Sequence, residues 1–432
     1  MKHVTWLTNY SDINSSIKYL IAAEFFLQIV NGAFTLSLNL YLAKQGYPDP
    51  MIADFTADRF MVVMLFALPL GLYIKGKRLR PIFLAGVLAL PLVSLALLEA
   101  IAQHATIWLR GLLILWGLCF TAVAIPSLPY ILRNAPATVH TRALSLHAAT
   151  WSLGLLVSGT LIFALSRGFP AIFDDKTLLQ VFSVLGLVAV AFVVRMPKQE
   201  NTDSGEVSPK IRHEHIGRQA AVYARQLISE YDWKLIGRAV VPTTLIAVGA
   251  GLTIPFMNLF FYHRFGINTD GFALLGSATA LLVSVVTLLV PRIKGALGYK
   301  AIPLSQAAAI ASLVGLGATD FMSGYAWALP LAFFCFVVRQ PLMSLANPMT
   351  SELTMYYVGS QNRELTGAII SAIWSGSWFV SSYAFGLLRA MNLHYGTIFF
   401  VTAAFYTIGV ATYVSLIKDF RRRERAGLVV MS

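Results

Sequence analysis

The chain is 432 residues long, 57% hydrophobic and only 12% charged, with a mean hydropathy of +0.68; so little polar surface excludes a water-soluble body and leaves lipid as the main solvent. A formal net charge of +13 would point a soluble protein towards nucleic acid, but here the basic residues sit in short segments between apolar runs, where they read as topology signals. The two cysteines, Cys119 and Cys335, both lie inside apolar runs, which excludes a disulfide framework and a CxxC metal or redox site.

Residues 1–16 are polar and lack both a short apolar core and a small-residue cleavage site, so the first span is expected to be retained as a signal anchor. A spanning helix takes about twenty mostly apolar residues. On that yardstick helices are predicted near 17–43, 49–74, 81–103, 106–133, 139–167 and 176–195, then 234–264, 270–293, 300–321, 325–356, 364–391 and 393–418. The fold class is therefore an all-α integral membrane protein of twelve transmembrane helices. In the first span Glu24 is followed at helical spacing by Gln28, Asn31 and Thr35, which makes one face polar. The second carries Asp54, Asp58 and, near its midpoint, Arg59. A charge at mid-bilayer costs about 2.5–3.5 kcal/mol on the insertion scale, so it belongs in a cavity or against a partner. His147 stands near the start of the fifth span, where a packing histidine and a proton relay are both open readings.

Between Met196 and Trp233 the composition switches to Lys, Glu, Asp, Ser, Gly and His. This divides the chain into a six-span bundle over 1–195, a linker over 196–233, and a second six-span bundle over 234–432 that ends in a basic tail. Within the linker Ile216, Ala220, Tyr223, Leu227 and Tyr231 recur at helical spacing, predicting a short amphipathic helix on the membrane surface; a flexible tether is the alternative. His213 and His215 have no matching third ligand, and no metal site is assigned. In the seventh span Asn258, Tyr262 and His263 form a polar patch after Pro255, a candidate outer gate or simply an interfacial belt. In the tenth, Arg339-Gln340-Pro341 sets a guanidinium near mid-span beside a proline that removes a backbone donor, and Asn347-Pro348 repeats the break. The eleventh has Trp374 and Trp378 one turn apart among serines, a pattern that suits close helix packing or the stacking of a ring.

The basic residues are unevenly placed. One set of connections holds Lys75, Lys77, Arg78, Arg80, Arg133, Arg142, Arg292, Lys294, Lys300 and Arg363, plus the tail from Lys418 to Arg425; the other holds chiefly Lys44, Arg110, Arg167, Lys176, Arg264 and Arg389. That imbalance places both termini in the cytoplasm, and the short loops suggest a bacterial inner membrane. The halves also repeat one another. Pro129 precedes Arg142 and then Trp151 to Gly159; Pro348 precedes Arg363 and then Trp378 to Gly386, with tryptophan and glycine at the same separation. Such correspondence suggests a duplicated six-span unit.

Twelve spans, a central polar loop and paired halves resemble the major facilitator superfamily over essentially the whole chain. Its usual Gly-x-x-x-Asp-Arg-x-Gly-Arg-Arg signature is degenerate here: Gly71-Leu-Tyr-Ile-Lys75-Gly-Lys-Arg-Leu-Arg80 keeps the glycine and the basic cluster without the aspartate, and Pro291 to Lys300 in the second half also lacks the acid. The fifth span has Gly154 and Gly159 but none of the Gly-Pro pairing of drug–proton antiporters. The resemblance implies two pseudo-symmetric six-helix bundles that rock around a midplane site.

On that geometry Arg59 and Arg339, from opposite halves, meet one substrate from two sides, and guanidinium groups select carboxylate or phosphate. Asn31, Gln28, Gln340, Asn258 and Trp378 complete the expected substrate-binding set; Pro341, Pro348, Arg142 and Arg363 are expected to gate. Asp54, Asp58 or Glu24 could instead neutralise Arg59 and merely fasten helices. Burial favours a protonated carboxyl and a neighbouring guanidinium the ionised one, so an anion competing for Arg59 would drive a proton onto Glu24 or Asp58. The expected function is secondary active transport of a small organic anion, with proton coupling, by a monomer that needs only substrate, lipid and protons as partners. Alternatives are a lipid or amphiphile flippase, a drug exporter of the same fold, and a non-transporting membrane sensor or scaffold. No Walker loop, HExxH or GxSxG cluster is present, so neither ATP drive, a cofactor, a metal nor an enzyme activity is assigned.

Overall fold

The apolar runs become helices and the charged punctuation becomes their ends. The computed structural model describes residues 13–74, 77–136, 139–198 and 231–426. The first bundle holds α1 (Ser15–Lys44), α2 (Asp49–Tyr73), α3 (Arg80–Ala102), α4 (Thr106–Asn134), α5 (His140–Gly168) and α6 (Asp175–Val194). The second holds α7 (Trp233–Phe265), α8 (Thr269–Leu297), α9 (Ala301–Phe321), α10 (Ala328–Gly359), α11 (360–390) and α12 (Tyr395–Arg425). Among the described residues nine stretches are long and apolar enough to cross a membrane, one of which, Thr269–Phe321, contains both α8 and α9. Because the twelve legs alternate in direction, α1 begins and α12 ends on one side, here the terminal side; the opposite is the far side. The predicted linker helix through Ile216 and Leu227 lies outside the described residues.

Local chemistry sets the helix ends. Asp174 Oδ1 accepts from Thr177 N at 2.8 Å and Asp232 Oδ1 from Leu235 N at 3.0 Å, capping α6 and α7. At the other pole, Arg80 donates to the carbonyls of Val193 and Val194, and Arg133 to those of Ile74 and Lys77. These arginines therefore satisfy the orphan carbonyls of α6 and α2. α7 is broken: it stops at Thr253, passes through a 3-10 turn at Ile254–Phe256 and resumes at Met257, because Pro255 has no N–H for the ladder. Pro341 and Pro348 behave differently from expectation, since helix continues through both. Helix also fills most of the loop predicted between α10 and α11. Only Gly359, at φ 75 and ψ 171, turns the chain there, a conformation that costs glycine little.

Small residues let the helices meet closely. Within the first bundle Ser158 Oγ donates to the Ile29 carbonyl at 2.7 Å, joining α5 to α1; within the second Ser381 Oγ donates to the Val248 carbonyl at 2.8 Å, joining α11 to α7. The fifth helix of each half is thus tied to the first by the same device. The repeated glycines sit in matching seams between the halves: Gly159 of α5 lies against Ala273 and Ser277 of α8, and Gly386 of α11 against Pro50 and Ala53 of α2. The repeated tryptophans diverge, because Trp151 is 56% exposed while Trp378 meets Phe60 of the other half edge-on at 5.0 Å.

The two seams differ in tolerance. A Cβ on Gly159 would fall 2.5 Å from the Ala273 carbonyl oxygen, which is backbone, whereas on Gly386 it would stand 3.3 Å from Ala53 Cβ and from the Pro50 oxygen. Gly159→Ala is therefore expected to hold the far ends of α5 and α8 apart, and Gly386→Ala to leave α2 and α11 closed. Spin-label distances across the far side check this, and equal behaviour of the two variants would contradict it.

Candidate functional site

α2 carries Arg59 into the first bundle between α1 and α4. Gly117 makes room, since a Cβ there would stand 2.7 Å from the Arg59 carbonyl oxygen. Arg59 Nη2 donates to Asn31 Oδ1 at 2.8 Å, and Asn31 Nδ2 donates to Gln28 Oε1 at 3.1 Å. The guanidinium also lies over the Trp116 ring at 4.0 Å, a ring fixed by its own Nε1 donating to Ser94 Oγ at 2.9 Å. Cation–π contact and neutral hydrogen bonds therefore hold this charge.

The three carboxylates expected to compete for Arg59 are engaged elsewhere. Glu24 Oε2 is 2.5 Å from His147 Nδ1 across α1 and α5. Arg110 holds Asp54 at 3.2 Å and lies 3.8 Å from Asp58, which also accepts from Tyr383 of the second half at 3.5 Å. Among the described residues no carboxylate lies within ion-pair distance of Arg59. The polar face of α1 borders open space as well, because Thr35 is the exposed position between Tyr19 and Ala43.

Arg339 is placed differently from Arg59. Its side chain is 2% exposed, inside the second bundle and facing Tyr406 of α12. Nη2 donates to Gln340 Oε1 at 3.2 Å, while among the described residues Nε and Nη1 have no hydrogen-bond acceptor. In this state it does not open onto the space between the halves. Asn258 is also buried, donating to the Leu36 carbonyl at 3.4 Å, so it ties α7 to α1. Trp378 packs on Phe60 with its Nε1 unpartnered. Arg142 and Arg363 are exposed near the terminal side. Lys294, in the degenerate signature of the second half, is held at 2.5 and 2.6 Å by Glu352 of α10, so an acid remote in sequence fills the place the motif leaves vacant.

On the far side all six basic residues marked in the sequence are matched to carboxylates: Lys44 to Asp175, Arg110 to Asp54, Arg167 to Asp270, Lys176 to Glu99, Arg264 to Asp320 and Arg389 to Asp49. Two of these pairs cross between the halves, Arg167–Asp270 at 2.7 Å and Arg389–Asp49 at 2.9 Å. Asp49 gathers two further groups of the second half, His263 Nε2 at 3.1 Å and the hydroxyl of Tyr395. Asn39 Nδ2 donates to the Pro255 carbonyl at 2.8 Å, so the break in α7 exposes an acceptor that α1 uses. The far side is thus closed by polar contacts that can be exchanged for water, in contrast to the aromatic core of the second bundle, where Phe256 and Phe385 stack at 3.8 Å.

Two packed helical bundles joined by a polar seam define a helical membrane protein with a closed far side. The profile of the Major Facilitator Superfamily matches residues 20–382, and the chain belongs to that superfamily. No curated protein matches it in sequence. Solved structures share its fold at low identity. A point mutant of the nucleoside transporter NupG superposes with a TM-score of 0.70 at 12% identity, covering 93% of this chain and 100% of the other. A D-xylose–proton symporter does so at 0.69 and 13%, covering 93% and 96%. A bacterial homologue of the human lysosomal transporter Spinster gives 0.68 and 12%, again covering 93% and 96%.

Proposed function

We propose that this protein is a secondary active transporter that moves a small organic anion by alternating access, coupled to protons. The observation that carries the anion reading is Arg59: a permanent cation inside a helical bundle, braced by Asn31 and Trp116 and left without a counter-charge among the described residues. A half-buried cation without its anion carries part of the desolvation cost uncompensated, and a carboxylate or phosphate on the cargo would relieve that cost through charge-assisted hydrogen bonds. The exchangeable far-side seam supports alternating access. Structures with this fold include a nucleoside transporter, a D-xylose–proton symporter and a POT family transporter in complex with a thioalcohol-conjugated peptide, which supports transport without selecting a cargo. Because each far-side basic residue is paired, the excess positive charge falls on the terminal side, and we place that side in the cytoplasm of a bacterial inner membrane.

Uptake of a panel of labelled organic anions into proteoliposomes tests this reading. Arg59→Ala is expected to lower uptake efficiency about 10- to 150-fold, the worth of a charge-assisted hydrogen bond of roughly 1.5–3 kcal/mol, with unchanged abundance. Uptake that ignores Arg59, or leaflet exchange of a labelled lipid in its place, would overturn the anion assignment.

A further inference from the structure

The second bundle contains a cavity of about 270 Å³ that none of the groups above uses. It is enclosed by α7, α9, α10, α11 and α12, so every wall belongs to one half of the molecule. Its floor is formed by Gln306, Thr354 and Tyr413, and Asn347 and Ser351 are exposed at its mouth. Trp374 forms one wall. Arg339 lies about two helical turns before Asn347 on α10 and is not among the lining residues.

Three properties of this cavity specify a ligand. Among the described residues no Asp, Glu, Lys or Arg lines it, so a charged group entering it would lose hydration with no compensating charge from them. Gln306 is 2% exposed, yet among the described residues its Oε1 has no hydrogen-bond partner; a buried acceptor left without a donor is costly and calls for an O–H or N–H from outside. The hydroxyls of Thr243 and Tyr413 bond to each other at 2.9 Å, and Thr350 donates to the Asn347 carbonyl at 2.9 Å; Gln306 Oε1 is the fully buried acceptor at the floor that no described group satisfies. Finally, the volume falls just below the ~300 Å³ at which pockets for drug-sized ligands begin, room for one ring and its substituents, with the Trp374 indole available to cover a ring face.

We infer that this cavity is a binding site for an uncharged, polyhydroxylated single ring, a sugar or cyclitol, whose hydroxyl donates to Gln306. The inference stands apart from the anion reading of Arg59, which concerns the other bundle. Since one bundle supplies all the walls, rocking of the halves leaves the site assembled in both states.

Thermal unfolding of the purified full-length chain in detergent, titrated with D-glucose, myo-inositol and D-glucuronate, tests it. A ligand that binds the folded state raises the midpoint with the logarithm of its concentration relative to its Kd. Glucose or inositol is expected to stabilise the protein, and glucuronate, with a carboxylate on the same ring, is not. Gln306→Leu is expected to raise the concentration needed for a given shift roughly tenfold, equivalent to about 1.4 kcal/mol. Should that variant fail to fold, the double variant Asn347→Ala and Ser351→Ala, at two exposed positions, is expected to weaken binding likewise. Stabilisation by neither uncharged ring, equal stabilisation by glucuronate, or titrations unchanged in the variants would each overturn the assignment.

Discussion

Replacing Asp49 by alanine is expected to open the far side. The carboxylate is 8% exposed and collects Arg389, His263 and Tyr395 from the second half while standing on the first helical turn of α2. Removing one partner of a buried, hydrogen-bonded pair costs about 3–5 kcal/mol. Arg389 and His263 retain partial access to water, so the low end applies, about 3 kcal/mol, or roughly 150-fold in the ratio of closed to open molecules. The other inter-half contacts, among them Arg167–Asp270, Lys44 with Thr269, Asn39 with Pro255, Asn258 with Leu36 and Tyr383 with Asp58, stay in place and set the limit of the shift. Cysteines placed at exposed far-side positions and probed with a membrane-impermeant thiol reagent report the change: labelling should rise steeply in Asp49→Ala and less in Asp49→Asn, which keeps a hydrogen-bonding group. Unchanged labelling would show that the apolar packing of the seams alone keeps that side shut.

How much of this was legible in the sequence depends on the range of the interaction. Helix number and placement follow from the length of apolar runs, and the ends of α6 and α7 follow from Asp174 and Asp232, whose caps act over three residues. Arg59 was legible as a charge with no business in lipid, but its partner was not. Three acids were candidates on spacing, and the structure gives two of them to Arg110, which reads in sequence as the start of a span 56 residues from Asp54. The far-side seam left no local trace, because Asp49 finds His263 and Arg389 214 and 340 residues away. Pro341 and Pro348 show the converse failure: a local rule predicts breaks, and tertiary packing carries helix α10 through both. Gln306 stands out as an amide in an alanine-rich span, but only the walls contributed by four other helices turn it into a cavity floor.

Glu24→Gln is expected to uncouple transport from protons while preserving exchange of substrate. Glu24 is 4% exposed and lies 2.5 Å from Nδ1 of His147, whose side chain is 27% exposed and so joins the pair to the surface. Seven residues of α1 separate Glu24 from Asn31, the residue that holds Arg59, which at 1.5 Å per residue is about 10 Å. At an effective dielectric near 20, a unit negative charge arriving at that distance favours a proton on the pair by about 1.7 kcal/mol, roughly 15- to 20-fold. By linkage the proton strengthens anion binding by the same factor. Neither direct contact between Glu24 and Arg59 nor a shared hydrogen bond is needed, which is why the pairing of Glu24 with His147 strengthens the coupling route and does not remove it. Glutamine keeps the shape and a hydrogen bond to the imidazole but cannot carry the negative charge. In proteoliposomes with an inward proton gradient, the wild-type chain should accumulate its anion and Glu24→Gln should bring the accumulation ratio to about one, the uncoupled limit, while counterflow between preloaded and external substrate persists. Accumulation by Glu24→Gln with the wild-type dependence on the gradient would assign the proton to another group, with Asp58, beside Arg110 and Tyr383, the next carboxylate to replace.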